Sequence, residues 1–361
     1  MLDCTPKFSY TQYMITLNQA SYDTKEIMKW GGIIIAGLVI LIVIIRMLLA
    51  AKEMIFPTPP PKPTVLFGQL EPQVFPKNVT DQKLTYTMNT LSGYVPAFTY
   101  EAKVFPVQTA TLDLLGFSRA KRAAVQAGYT NEPNKLSDTL FEWIYPDTSQ
   151  LTTKLTMDTI NYNYNITSDY LNSSTFTSGQ GLPDQNGAIN IAHNLLGKLN
   201  SATTDVDGSK TQANLLSFNN GSLTPVKKMA DAQLIRVVFH QSDLDTIPIY
   251  YEDPNSSNIN VLIGSNSQIL EATFMHQVAV LANFSTYPLK TAQEAYDELQ
   301  QGKGYIALYD GKSKNIPINN VFLAYYISSQ PQKYIMPIFV FAQDDIFYAY
   351  VPAITDVWIG K

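Results

Sequence analysis

Ser118 and Lys121 stand three apart in the run Ser118-Arg-Ala-Lys121, the S-x-x-K spacing in which a lysine amine draws the proton from a nucleophilic serine. Enzymes built this way also carry S-D-N and K-T-G elements, and neither occurs in the chain. Ser118 is therefore expected to cap a helix, with hydrolysis of peptidoglycan or peptide kept as a rival reading. His193, His240 and His276 fall on a helix, a strand and a further segment without HExxH spacing, so each is expected to be structural and no metal site is assigned. Asp205-Val-Asp207-Gly208 has the opening of a calcium loop, but its glycine comes too early and no glutamate closes it, so a turn is expected. Neither G-x-S-x-G nor a phosphate-cradling G-x-x-x-x-G-K-[ST] is found, and Gly302-Lys-Gly304 is too short to hold a phosphate. A glycosidase pair among the carboxylates stays open, because only their separation in space reveals one. No catalytic residue and no cofactor is assigned.

The elements that would position such residues begin with thirteen consecutive apolar residues, Ile33 to Ile45. With Trp30 at one end and Leu49 to Ala51 at the other, residues 30–51 make 22, and at about 1.5 Å per residue they span roughly 33 Å, the thickness of a hydrocarbon core. Trp30, Ile33, Leu38, Ile45, Arg46 and Leu49 mark this membrane span, whose lipid partner is the bilayer. A cleaved signal peptide fits poorly, since Arg46 and Lys52 follow where small residues should. Arg46 can snorkel to the headgroups, or meet an acidic residue on another subunit's helix. Charge leaves the orientation open, because Lys25 and Lys29 on one side balance Arg46 and Lys52 on the other.

Charged residues make up 15% of the 361, aromatics 12%, and net charge is −5, so the remainder can bury a core, and nucleic acid is not an expected partner. The single cysteine, Cys4, precedes the span, which rules out an internal disulfide and a lipoprotein anchor. Six N-x-[ST] sequons are what a chain rich in Asn, Ser and Thr produces by chance.

The spacing predicts an α+β protein: tail 1–24, transmembrane helix 25–52, proline-rich stalk 53–80, a first helix-plus-antiparallel-sheet domain 81–200 and a second 201–361. Five prolines from Pro57 to Pro63 should form extended polyproline, about 20 Å long, with the irregular stretch to Asn78 adding to it. In the first domain, strands are expected at Leu84 to Met88 and Ala102 to Val107. A helix with Ala120, Ala123, Ala124 and Ala127 on one face should end at Gly128, followed by strands from LFEWIY and from the alternation through Leu151 to Tyr164. A second helix carries Ile189, Ala192, Leu195, Leu196 and Leu199, and strands follow at Leu234 to His240, Ile247 to Tyr251 and Ile259 to Ile263. Thr291-Ala-Gln-Glu294 forms a capping box for a third helix ending at Gly302, before strands at Gly304 to Tyr309, Val321 to Ile327, Tyr334 to Phe341 and Ile346 to Val351. The shared form of the three helices raises an internal repeat of helix-plus-sheet units.

The closing segment from Thr291, with its "Y-x-x-P" at Tyr334 to Pro337 and "F-x-a-x-V-x-A" at Phe347 to Ala353, resembles the extracytoplasmic YycH/YycI-like and PepSY-like domains of bacterial membrane proteins. The stalk and first-domain pattern are similar to uncharacterised anchored proteins of ultrasmall candidate-phylum bacteria. The resemblance implies an N-terminus inside, a head outside the cytoplasmic membrane, and action by binding other envelope proteins, for example restraining a sensor kinase or inhibiting a peptidase.

The reading is a non-enzymatic, single-pass anchored subunit whose head binds another envelope or membrane protein, with homo-oligomerisation open. Two rivals stand beside it: the hydrolase, and a glycan-binding head that uses Tyr325, Tyr326, Tyr348 and Tyr350, provided those rings are exposed rather than alternate members of a core.

Overall fold

A computed structural model describes residues 17–55, 62–111, 113–146, 151–201, 203–219 and 221–360. The chain divides into two compact units, Met1–Lys62 and Pro63–Lys361.

Among the described residues of the first unit one helix runs Leu17–Ile55. Its segment Met28–Leu49 has a mean hydropathy of 3.0, with none of it buried in the protein, and is long and apolar enough to cross a membrane. Trp30, Ile33, Leu38, Ile45 and Leu49 are 47% to 61% exposed, and Arg46 is exposed as well. The helix starts earlier than expected, taking in residues 17–24 of the expected tail. Cys4 and Pro57 to Pro61 lie outside the described residues.

The second unit is mixed helix and sheet, but its two larger sheets do not follow the expected boundary at 200/201. Nine strands form one antiparallel sheet in the spatial order Asn134–Lys135, Leu140–Pro146, Thr152–Asp158, Tyr164–Ser168, Ile269–Phe274, Ile259–Ile263, Leu234–Val238, Gln212–Asn219, Ser222–Pro225. Tyr164–Ser168 pairs with Ile269–Phe274, placing Ala272 opposite Ile166, so strands from both expected domains share one hydrogen-bonded layer. Two helices, Gly116–Gln126 and Gln185–Lys198, bury Ala120, Ala123, Ala124, Ala192 and Leu195 in the same core as Leu155, Val237 and Val261 from this sheet. The two helices share one core. On the other face Leu216, Leu234, Leu262 and Leu270 make a smaller core with Tyr170 and Phe176, the opposite members of the same period-two strands.

The seven-stranded sheet joins the ends of the unit. Ile249–Tyr250, Asn320–Tyr326, Tyr334–Gln343, Phe347–Pro352 and Tyr305–Tyr309 lie in that order, and Glu101–Pro106 links the start of Tyr334–Gln343 to Ser285–Pro288. Phe339 and Phe341 pack beneath the helix Ala292–Gln300 with Ala295 and Leu299, while Ile338 and Val340 face the other way against Tyr305, Tyr326 and Tyr350. A strand buried on both faces needs a continuous apolar run, and Ile335 to Ala342 supplies one. Beside it, Thr85–Met88 pairs in parallel with Asn315–Ile318, a strand hidden from its sequence by Pro317.

Local signals fixed the helix ends where they were strongest. The capping box is complete: Thr291 Oγ1 accepts from the Glu294 amide at 3.1 Å and the Glu294 carboxylate accepts from the Thr291 amide at 2.6 Å. Gly128, at φ +104°, closes the Gly116–Gln126 helix, and the Tyr129 amide reaches back to the Ala124 carbonyl at 2.9 Å. At the other end of that helix Leu115, not Ser118, holds the cap position. Asp113 organises this start, accepting from the Leu115 amide at 2.9 Å and the Tyr162 hydroxyl at 2.7 Å, with Arg119 at 3.0 Å. Gly116 is required there, because a Cβ would run into the Thr159 carbonyl.

The segment after Pro63 is not the spacer expected of residues 53–80. Leu70 is fully buried and exchanges hydrogen bonds with the far end of the chain, its amide to the Trp358 carbonyl and its carbonyl from the Gly360 amide, both at 2.8 Å. Phe67 stacks on Tyr334 at 5.0 Å, and Phe75 lies over Tyr305 and Tyr326 at 5.4 and 4.7 Å. Val65, Phe67, Leu70 and Phe75 are apolar enough to lose their hydration on the sheet, so the chain is a strap bound to the head.

Candidate functional site

That strap decides the fate of the aromatic surface. Tyr325 and Tyr350 are fully buried, Tyr326 is 1% exposed and Tyr348 is half-buried, so the four rings offer no open platform. The Tyr325 hydroxyl donates to the Lys103 carbonyl at 2.9 Å, and Tyr350 is ringed by Tyr250, Tyr305 and Tyr326, each centroid within 6.2 Å. Burial first, and then the neighbouring hydroxyls and Asp253, push the Tyr350 phenol well above its ordinary pKa. Tyr325, Tyr326 and Tyr350 are core, and Tyr348 packs at its edge.

The S-x-x-K residues are also apart in role. Ser118 is exposed in the first turn of its helix, and the Lys121 ammonium pairs with Glu132 at 2.6 Å. The two acidic residues of the calcium-like run diverge: Asp207 accepts from the Ser209 amide at 2.9 Å and hydroxyl at 2.6 Å to close a short turn, while Asp205 turns toward His276. No group of three or more His, Cys, Asp or Glu able to hold a metal ion is found among the described residues. His193 packs edge-on against Phe239 at 4.9 Å, and His240 Nδ1 lies 3.1 Å from the Lys210 carbonyl, with burial, foremost, pushing its pKa down.

What the fold does assemble is an open cleft of about 1050 Å³. One wall is the end of the nine-stranded sheet, where Thr156, Asp158, Asn161, Asn163, Tyr164 and Asn165 line the opening. The facing wall is Pro106 to Ala110 with the Ser329 to Tyr334 loop, and Met275, His276 and Gln277 complete the lining. In Asn161-Tyr-Asn163-Tyr-Asn165 the chain passes from a turn, with Tyr162 at φ +58°, into the strand that begins at Tyr164; Tyr164 stacks on Phe274 at 5.4 Å, and the three asparagines line the cleft.

His276 is held from three sides. Its amide donates to Asn163 Oδ1 at 3.0 Å, its ring lies 5.5 Å from Phe274, and its Nε2 sits 2.9 Å from both Asp205 oxygens. Gln241 Nε2 donates to the same carboxylate at 2.9 Å and to the Gln277 carbonyl at 3.1 Å. Burial pushes the Asp205 carboxyl up, but the hydrogen bond and charge of His276, joined by Gln241, outweigh it and bring its pKa down to about 2. A carboxylate on one ring nitrogen fixes the imidazole's tautomer and orientation, as in a relay that activates a nucleophile. No hydroxyl is hydrogen-bonded to the His276 ring among the described residues, so a nucleophile does not complete that relay here.

The walls are tied across the cleft's back. Gln277 Nε2 donates to the Ser328 and Gln330 carbonyls at 2.7 and 3.1 Å, and its Oε1 accepts from the Gln332 amide at 3.1 Å. Glu252 Oε1 accepts from the Ser329 amide and hydroxyl at 2.9 and 2.6 Å, and Asn258 Nδ2 donates to the Ser328 carbonyl at 2.9 Å. The same excursion from the nine-stranded sheet sends Ile249–Tyr250 to pair in parallel with Tyr325 and Tyr326 at the edge of the other sheet.

His276 entered the sequence reading only as a structural residue, and Gln108, Asn161, Asn163, Asn165, Gln277 and Gln330 did not enter it as site residues. The N-x-N-x-N spacing from Asn161 to Asn165 is the signal in the sequence that points to this cleft. No family model, curated protein or solved structure matches the chain.

Proposed function

We propose that the chain is a single-pass membrane protein of the cell envelope whose head binds another envelope or membrane protein, as a scaffold, regulatory or assembly subunit. The observation that carries the reading is the pairing, in one chain, of an apolar helix of 22 residues that buries nothing inside the protein with a folded unit that holds open a large, tied cleft. A helix of that length and mean hydropathy leaves lipid as the natural cover for its surface. A cleft kept open by cross-ties on a tethered body suits capture of a ligand in the space above a membrane. The N-terminus lies inside and the head outside the cytoplasmic membrane in this proposal.

Native expression followed by mild-detergent extraction tests it. The chain should resist extraction by alkaline carbonate, and crosslinking in intact cells should join its head to a defined second protein. Release by carbonate, or recovery of the uncrosslinked chain alone, overturns it. The glycan-binding reading loses its surface with the burial of Tyr325, Tyr326 and Tyr350. The pairing of the Lys121 ammonium with Glu132 supports the binding reading over a serine-lysine hydrolase.

A further inference from the structure

We propose that the cleft is a binding site for an extended, uncharged stretch of polypeptide; this rests on the protein-binding reading above and names the part of the partner that is held. The lining is rich in carboxamides whose hydrogen-bonding capacity is unspent. Gln108, Asn165 and Gln330 make no side-chain hydrogen bond among the described residues, and the amino groups of Asn161 and Asn163 are likewise uncommitted, only their oxygens being used. A carboxamide offers donor and acceptor together, the same pair that each peptide unit presents. Asn163 and Asn165, two residues apart where the chain enters the strand Tyr164–Ser168, lie at the spacing at which a second extended chain repeats its groups on one side, and Asn161 adds its amide from the turn before them.

Charge argues for a neutral occupant. The carboxylates and ammonium in the lining are already satisfied: Lys333 is paired with Glu71, and Asp158 accepts from the Ile160 amide at 2.7 Å and the Thr139 hydroxyl at 3.2 Å. An anionic side chain entering here would lose hydration without finding an unpaired cation, and a cationic one would meet only Asp158, both of whose oxygens already accept hydrogen bonds. Val107, Leu140, Met275 and Pro331 stand between the amides and can take apolar side chains.

The aromatic faces argue against a sugar. Glycans are held largely by exposed ring planes, and the two aromatic residues of the lining have theirs in use, Tyr164 against Phe274 and Tyr334 against Phe67. The ties through Gln277, Glu252 and Asn258 hold the walls apart before binding, so the occupant meets a preformed site.

The full chain in mild-detergent micelles, titrated into short fluorescent peptides with capped ends and only Ser, Thr, Asn, Gln, Val and Leu, gives the test by fluorescence polarisation. Saturable binding is expected. It should weaken by about tenfold or more in the combined variant Gln108→Ala, Asn165→Ala, Gln330→Ala, whose side chains hold nothing in the fold, while Lys303→Ala binds as the unaltered chain does. Peptides carrying Glu or Lys at alternate positions should bind more weakly. Absence of peptide binding, equal binding by the combined variant with an unchanged melting temperature, or tighter binding of the charged peptides overturns the proposal. So does binding of a chitin oligosaccharide in place of the peptides. If a cellular partner is crosslinked from other faces of the head while the peptides fail, the protein-binding reading survives and this site does not.

Discussion

The seven-stranded and nine-stranded sheets divide the labour of the head, and they differ in what they leave unsatisfied. The first is closed on both faces: Phe339 and Phe341 beneath its helix, Tyr326 and Tyr350 beneath the strap, with little polar capacity to spare. The second buries two layers as well, but its end opens on carboxamides with hydrogen-bonding groups uncommitted among the described residues and on a histidine braced by a carboxylate. Aromatic abundance therefore marks the platform and polar surplus marks the site. A ring in a two-sided sheet is worth most as packing, whereas an amide left unpaired at a cleft costs nothing only while water or a ligand can reach it.

The largest expected effect strikes the platform. Phe341→Ala removes a fully buried ring from the core under the Ala292–Gln300 helix and should cost about 3–5 kcal/mol in denaturant unfolding. Because Gln277, Glu252 and Asn258 tie the sheets together, hydrogen-exchange protection in residues 134–274 should fall in step with that in residues 305–352. Loss confined to the seven-stranded sheet would mean that the two are independent and that the cleft is not held open by the platform.

The next effect lies behind the cleft. The Asp205 carboxyl titrates near 2 in the folded chain against an ordinary 3.8, so its contribution is fully present above about pH 4 and disappears as pH falls toward about 2. With the side chain a third exposed, screening leaves on the order of 1–2 kcal/mol. Asp205→Asn should lower stability at neutral pH by about that amount and flatten the acid limb between pH 4 and pH 2, as read by urea midpoints across that range. An unchanged acid limb would show that His276 is not braced by this carboxylate.

Legibility in the sequence follows the same division. Features set by neighbours along the chain were readable: the Thr291–Glu294 box, the Gly128 ending, the alternation through Trp143 and the run Ile335 to Ala342. Features set by distant partners were not. Nothing around Ile166 says that its neighbour is Ala272, so a boundary drawn at 200/201 cut a continuous sheet. The strap was missed because Pro72 and Pro76 break its periodicity, although Val65, Phe67, Leu70 and Phe75 carried the apolar content of a packed segment. Tyr325, Tyr326 and Tyr350 were ambiguous because a strand reports which residues share a face and not whether that face is covered. Asp205 and His276, 71 positions apart, meet only through the return of the chain at the cleft.

Two small effects sharpen the contrast between a hydroxyl that holds the fold and one that does not. Thr291→Ala breaks the capping box of the platform helix and should cost about 1 kcal/mol, because the Glu294 amide loses its acceptor and the Glu294 carboxylate loses the hydroxyl that donates to it. Ser118→Ala, in the helix against the nine-stranded sheet, should change stability by no more than about 0.5 kcal/mol, since the hydroxyl is exposed and the cap position belongs to Leu115. Parallel thermal melts of the two variants make the comparison directly. A loss at Ser118 as large as that at Thr291 would restore it as a cap, while an unchanged melt accompanied by loss of peptide-bond hydrolysis would return the serine to chemistry and unseat the binding role given to the head.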